Sequence, residues 1–371
     1  MAAITPIVMP KWGLSMSEGR VNAWLVEEGA RIEVGAPILE VETDKISGVV
    51  EAADAGLLRR KVAQPGQTLP VKALLGVMAP PDVPDSDLEA FIAAYVVPAG
   101  AAGEEEGAAG GYEFVEVDGI RVRYARKGSG ATTVLFLHGY GGDLDNWLFN
   151  LDALADRNTV LALDLPGHGQ SACRLPDEVS VAALAGFLAH FLDAVNVQRV
   201  HVVGHSLGGA IAAQLALDQG DRVESLALIG SAGLGEEINK GYTEGFVAAQ
   251  SRRELKPVIE QLFFDAEAVS RQMIDDLLKY KRLDGVSELL SSLAAAVFGG
   301  GRQREQPVRR LAGTGKRVLV IWGKEDRIIP ASHAANAPRG ATVRVIDDAG
   351  HMVQMEKASV VNKLLRQHIE G

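Results

Sequence analysis

The chain has 371 residues, a formal net charge of −11, and 47% hydrophobic and 23% charged residues. This is ordinary globular composition with apolar material for more than one core, and the acidic balance speaks against nucleic acid and anionic membrane surfaces, which reward basic patches. The single Cys173 excludes an intrachain disulfide; with no basic leader and no run of ~18 apolar residues, the expected compartment is the cytoplasm, with no membrane partner.

Residues 1–79 read as short strands broken by Gly and Pro, with turns at Gly29, Gly35-Ala36-Pro37, Pro65-Gly66 and Gly76. They also repeat. The stretch from Gly19 to Ile38 aligns with that from Gly56 to Leu75, pairing Leu25 with Val62, Ile32 with Leu69, Val34 with Val71 and Ala36 with Ala73. Two copies of a strand-turn-strand unit predict an all-β flattened barrel or sandwich with pseudo-two-fold symmetry. Lys45, in Glu42-Thr43-Asp44-Lys45-Ile46, falls between the copies and is expected in a connecting hairpin.

Residues 80–111 open on Pro80-Pro81-Asp82-Val83-Pro84 and end in Ala, Gly and Glu, a composition that buries no core and predicts a flexible linker. Ser86 and Glu89 form a capping-box pattern ahead of Phe91-Ile92, which predicts a short helix inside it.

From residue 112 the pattern alternates. Asp118-Gly119 is a tight-hairpin signal between apolar strands. Continuous apolar runs follow at Val134–Leu137, Val160–Leu163, Val200–Val203, Leu226–Ile229 and Val318–Ile321, with a shorter one at Val343–Ile346. Such runs with helical patterns between them predict a parallel sheet covered on both faces. Residues 234–305 break the alternation with helix-like sequence and are expected to form a cap over the sheet's carboxyl edge.

The chemistry-bearing motif of this second part is Gly204-His205-Ser206-Leu207-Gly208, set between a buried strand and a helix. The tight turn demands small residues and projects the Ser206 hydroxyl above the sheet. A serine needs a base in reach and a group to orient it. Asp326 and His351 both lie just past strand ends, in the chain order Ser, Asp, His; Glu325 is the rival acid. The glycine-rich His138-Gly139-Tyr140-Gly141-Gly142 loop supplies a candidate oxyanion hole, with the N–H groups of Tyr140 and Leu207 as the expected donors.

On these motifs residues 112–371 resemble an α/β-hydrolase fold protein. On Glu42-Thr43-Asp44-Lys45 and the Gly48-Val49-Val50-Glu51-Ala52 that follows, residues 1–79 resemble a lipoyl domain, which implies lipoate covalently bound to Lys45. The arrangement resembles the acetyltransferase component of bacterial acetoin dehydrogenase systems. It departs from the usual dihydrolipoyl acyltransferases in lacking a His-x-x-x-Asp-Gly motif near the C-terminus and a clear subunit-binding domain in 80–111. The resemblance implies acetyl transfer from the lipoyl arm to coenzyme A, with a thiamine-diphosphate-dependent acetoin-cleaving component and dihydrolipoamide dehydrogenase as partners. A thioesterase or esterase carrying a lipoyl domain is the alternative, since both chemistries need the same triad. The sequence carries no coenzyme A signature, and homo-oligomerisation stays open. Arg252, Arg253 and Arg282 in the cap are the candidates for its phosphates, against a solvated default.

Overall fold

The computed structural model describes residues 4–10, 12, 16–43, 47–97 and 112–371. Two compact units divide the chain between Gly111 and Tyr112.

The first unit holds eight strands, β1 (Thr5–Val8), β2 (Glu18–Trp24), β3 (Arg31–Ile32), β4 (Pro37–Glu42), β5 (Ser47–Glu51), β6 (Gly56–Lys61), β7 (Thr68–Pro70) and β8 (Leu74–Met78). They form two four-stranded sheets, ordered β1-β8-β6-β3 and β5-β4-β2-β7. Matching β2 with β6, β3 with β7 and β4 with β8, as the repeat requires, carries one sheet onto the other, so the expected pseudo-two-fold symmetry is present. Met9, Val21, Leu39, Val41, Leu58, Val71 and Leu75 lie fully buried between the sheets. The symmetry fails at one repeat pair: Val71 is fully buried and Val34 is 66% exposed. Met9 and Ser17 of the β1–β2 connection bond to the backbone at Val71, Lys72 and Ala73. The equivalent β5–β6 connection spans only residues 52–55.

A helix, α1 (Asp85–Ala94), follows. Its cap differs from the expected box: Pro84 is the N-cap and no side chain caps the helix. Tertiary ion pairs take the acids instead. Arg60 binds Asp85 at 3.1 Å and Glu89 at 3.2 Å, while Arg59 binds Asp85 at 3.0 Å. Leu88 is fully buried beside Ala79, Val83 and Ile4. The first half of the segment expected as linker is thus packed structure.

The second unit is built on an eight-stranded sheet: β9 (Tyr112–Val117), β10 (Ile120–Lys127), β11 (Thr132–Leu137), β12 (Asn158–Leu163), β13 (Val200–His205), β14 (Val223–Ile229), β15 (Arg317–Gly323) and β16 (Thr342–Ile346). The order is β16-β15-β14-β13-β11-β12-β10-β9. Asp118 and Gly119 both have positive φ, 52° and 72°, which closes β9 onto β10 as a tight hairpin. From β12 through β16 the neighbouring pairs are parallel. The flanking helices are α2 (Leu151–Ala155), α3 (Val181–Ala194) and α4 (Leu207–Asp218), with α9 (Val353–Glu356) and α10 (Ala358–Glu370) at the C-terminus; between them lie four further helices, α5 (Lys240–Ala248), α6 (Arg252–Ile259), α7 (Arg271–Lys281) and α8 (Val286–Phe298). The helix expected over Ala266 to Tyr280 starts only at Arg271, because the Ser270 side chain accepts the Met273 N–H and sets the N-cap there. Among the described residues no helix is long and apolar enough to cross a membrane.

Candidate active site

The sheet order determines which loops meet. The chain passes from β11 outward to β12, then returns to place β13 on the other side of β11. Crevices form at such reversals, outside the carboxyl ends of the strands. Leu137 pairs with Gly204, so the loop after β11 and the turn after β13 emerge side by side.

Ser206 sits in that turn with φ 52° and ψ −119°. This strained backbone costs on the order of 1–3 kcal/mol and is held by hydrogen bonds from Ser206 N–H to Ile229 O and from Ala232 N–H to Ser206 O, each 3.0 Å. The flanking glycines are steric requirements. A Cβ on Gly208 would lie 2.3 Å from Leu137 O, and one on Gly204 would lie 2.5 Å from Gly208 O.

The base arrives from the other side of the crevice. His351 Nδ1 donates to Asp326 Oδ2 at 2.8 Å, with both side chains almost wholly buried. The second carboxylate oxygen, Asp326 Oδ1, accepts the N–H groups of Ile328 and Ile329 at 2.8 and 2.9 Å, which fixes the acid. Glu325, the rival acid, instead accepts the Ala349 N–H at 3.2 Å. Among the described residues Ser206 Oγ makes no hydrogen bond to His351; the pair shares the wall formed by residues 229–232, where Gly230 faces His351 and Asp326.

The loop His138–Gly142 lies against Ser206, with a Cβ on Gly139 only 2.9 Å from that of the serine. His138 shapes it: Nδ1 donates to Gly139 O at 2.7 Å and Nε2 accepts the Leu165 N–H at 2.9 Å. That network needs a neutral ring, and burial pushes the His138 pKa down to about 4. No backbone acceptor among the described residues takes the N–H of Tyr140 or of Leu207, which leaves both donors available for a substrate oxyanion.

Three partners escape a reading of the sequence. His205 precedes Ser206 and donates from Nε2 to the His351 carbonyl at 3.0 Å; its buried Nδ1 has no partner, and burial holds its pKa well below the usual histidine range. The Tyr140 hydroxyl donates to Leu290 O of α8 at 3.0 Å, and the ring packs on Phe246 of α5 with centroids 5.8 Å apart. Lys281 of α7 is buried and gives its ammonium to the carbonyls of Phe246, Val247 and Ala249 at the end of α5; burial lowers its pKa. These contacts join residues far apart in the chain, and no local pattern announces them. Of the three cap arginines, Arg252 is paired with Asp275, while Arg253 and Arg282 are exposed. Cys173 is free and exposed in a loop. Among the described residues no group of three or more His, Cys, Asp or Glu is arranged to hold a metal ion.

Lys45 lies outside the described residues. Its neighbours constrain it: β4 and β5 are antiparallel and the Glu42–Ser47 pair closes the connection that carries it. A short connection between paired strands is the setting a lysine needs for amide attachment of a lipoyl group.

A strained serine turn after β13, a buried His–Asp pair and two unclaimed N–H groups at a sheet reversal define an α/β-hydrolase fold protein, here joined to a biotin/lipoyl-type β-sandwich. Sequence comparison agrees for both units. The α/β-hydrolase fold family model matches residues 132–358, and the biotin/lipoyl model, described as biotin-requiring enzyme, matches residues 5–78. A meta-cleavage product hydrolase from Pseudomonas fluorescens shares the fold of the second unit, with a TM-score of 0.63 at 22% identity over 70% of this chain and 97% of that one. The dihydrolipoyllysine-residue acetyltransferase component of the acetoin cleaving system of Cupriavidus necator is 66% identical, covering 99% of this chain and 98% of that protein. Its counterpart from Pseudomonas putida is 48% identical over 99% of this chain and the whole of that protein. The chain belongs to this family of acetyltransferase components of acetoin cleaving systems.

Proposed function

We propose that this protein transfers an acetyl group from S-acetyldihydrolipoyl-Lys45 to coenzyme A within an acetoin-cleaving complex in the cytoplasm. The observation that carries the reading is the match across both units to the Cupriavidus necator acetyltransferase component. The lipoyl group, when bound, supplies a thiol that carries the acetyl group as a thioester. A thiamine-diphosphate-dependent component that cleaves acetoin would load it, and dihydrolipoamide dehydrogenase would reoxidise it.

The chain's own residues take these roles. His351, oriented by Asp326, removes the proton from Ser206 Oγ as that oxygen attacks the thioester carbonyl. The N–H groups of Tyr140 and Leu207 hold the oxyanion. As the C–S bond breaks, His351 returns the proton to the departing thiol. In the second half His351 deprotonates the coenzyme A thiol, which attacks acetyl-Ser206 and releases the serine. A thioester stores more free energy than an oxygen ester, so this second half is uphill and water must be kept out. The helices α5–α8 and their contacts with the Tyr140 loop suit that task.

The test is turnover of free S-acetyldihydrolipoamide with and without coenzyme A. Coenzyme A-dependent acetyl-coenzyme A formation is expected, falling on the order of 10⁴-fold or more in Ser206→Ala. Acetate alone, at one rate in both conditions, would make the protein a thioesterase.

A further inference from the structure

We infer that the packed segment after β8 returns the chain to the lysine-bearing end of the carrier, so that acyl arm and tether leave from the same end. The strand registers locate the ends. Arg20 pairs with Glu42 and Glu18 with Pro70, and the Val71 N–H bonds to Ser17 O. Residues 17–18, 42 and 70–72 therefore lie at the end where the β4–β5 connection carries Lys45. Strand β8 starts at that end, where Val8 pairs with Leu74, and runs away from it. It finishes at Met78, paired with Thr5 and Leu58, beside the Ile32–Gly56 pair. A carrier domain ending at β8 would release its chain at the far end.

The next residues undo that. The Arg59 guanidinium donates to Pro80 O at 2.7 Å and to Val83 O at 3.2 Å, turning the chain at the far end. Helix α1 then runs back, held by Arg60 through Asp85 and Glu89 and by the buried Leu88. Beyond it the Tyr95 hydroxyl donates to Lys72 O at 2.9 Å, and Val97 packs on the sandwich core. Lys72 belongs to the lysine-bearing end. The lengths agree: the 10-residue helix spans about 15 Å, and the five-residue β8 about 16 Å. Residues 98–111 therefore start next to the arm and need not cover a carrier length before the arm can reach a site in its own chain. The functional part of this inference rests on the acetyl-transfer reading above; the path of the chain does not.

Two measurements on the full-length, lipoylated chain test it. The first compares single-turnover transfer from the chain's own acetylated arm with turnover of free S-acetyldihydrolipoamide, before and after residues 80–97 are replaced by a Gly/Ser stretch of equal length. The tether then more than doubles in length and starts at the far end. Effective concentration falls as about the −3/2 power of length, so the ratio of own-arm to free-donor rates should drop about threefold or more. An unchanged ratio overturns the inference. Leu88→Asp, confirmed as still lipoylated by intact mass, should lower the ratio in the same direction. The second measurement is independent of catalysis. In a Cys173→Ser background, spin labels at Val96→Cys and Glu18→Cys should be closer than labels at Val96→Cys and Val34→Cys, with both distributions broadened by Leu88→Asp. The reverse order of distances overturns the inference whether or not coenzyme A proves to be the acceptor.

Discussion

His205 and His351 are joined through the backbone: the imidazole before the nucleophile donates its Nε2–H to the carbonyl of the base at 3.0 Å, and the two rings lie 4.6 Å apart. The turn that presents Ser206 and the loop that presents its base are thus registered by one hydrogen bond. His205→Phe keeps the ring volume and removes the donor. The expected result is a fall in kcat of roughly 10–100-fold with KM nearly unchanged, since proximity losses of this kind act on the chemical step. His205→Gln, which can still donate, should recover part of the loss; equal activity of His205→Phe and the parent would refute the linkage.

Gly230 faces the acid–base pair. Its φ is +47°, and a Cβ there would stand 3.2 Å from His351 Nδ1 and 3.4 Å from Asp326 Oδ2. Gly230→Ala should displace the imidazole by a few tenths of an ångström and strain the backbone by about 1 kcal/mol. Steady-state kinetics should show a kcat loss well beyond what a thermal melt attributes to destabilisation.

Arg123 and Asp164 form a buried ion pair, with side chains 2% and 0% exposed and a contact of 2.6 Å. Asp164 also accepts the N–H groups of Leu144 and Gln170, which ties β10 to the loops after β11 and β12. Removing one partner strands the other charge. Arg123→Met should cost about 3–5 kcal/mol, read as a lower denaturant midpoint for the second unit, whereas Arg60→Ala should leave that transition in place.

Acid should unfold the second unit early. Burial lowers the pKa of His138 to about 4 and of His168 to about 3. An unfolded chain binds protons at these rings near pH 6.5 and the folded one does not, so their contribution is complete above pH 6.5 and is lost as pH falls toward 4 and 3. The slope is about 1.4 kcal/mol per pH unit for each ring. Asp143 opposes them. Burial, with the charges of Asp145 and Asp164, raises it to about 7, so the folded state gains one proton's stability as pH drops below 7. The net expectation is a midpoint that falls steadily from pH 6.5 to 4, with the slope reduced by about one proton in His138→Asn, provided that variant folds.

The parallel strands were legible because strands buried on both faces must be continuous aliphatic runs, as in Val134–Leu137 and Val200–Val203. The serine turn was legible because steric demands at Gly204 and Gly208 leave a local signature. The start of α1 was misread because the capping rule is local and the deciding contacts are not: Arg59 and Arg60, far upstream, claim Asp85 and Glu89. The His205–His351, Tyr140–Leu290 and Lys281–Phe246 contacts join distant segments, so only the folded chain brings their partners together.

The sheet orders of the first unit carry a further consequence. Each sheet takes strands from both copies of the repeat: β3 from the first completes the sheet of β6 and β8, and β7 from the second completes that of β2 and β4. Neither copy can therefore close a sheet by itself, and a fragment holding one copy has no stable folded form. Unfolding of the carrier should be all-or-none, and a chain cut between the copies should regain its sandwich only when both pieces are supplied together.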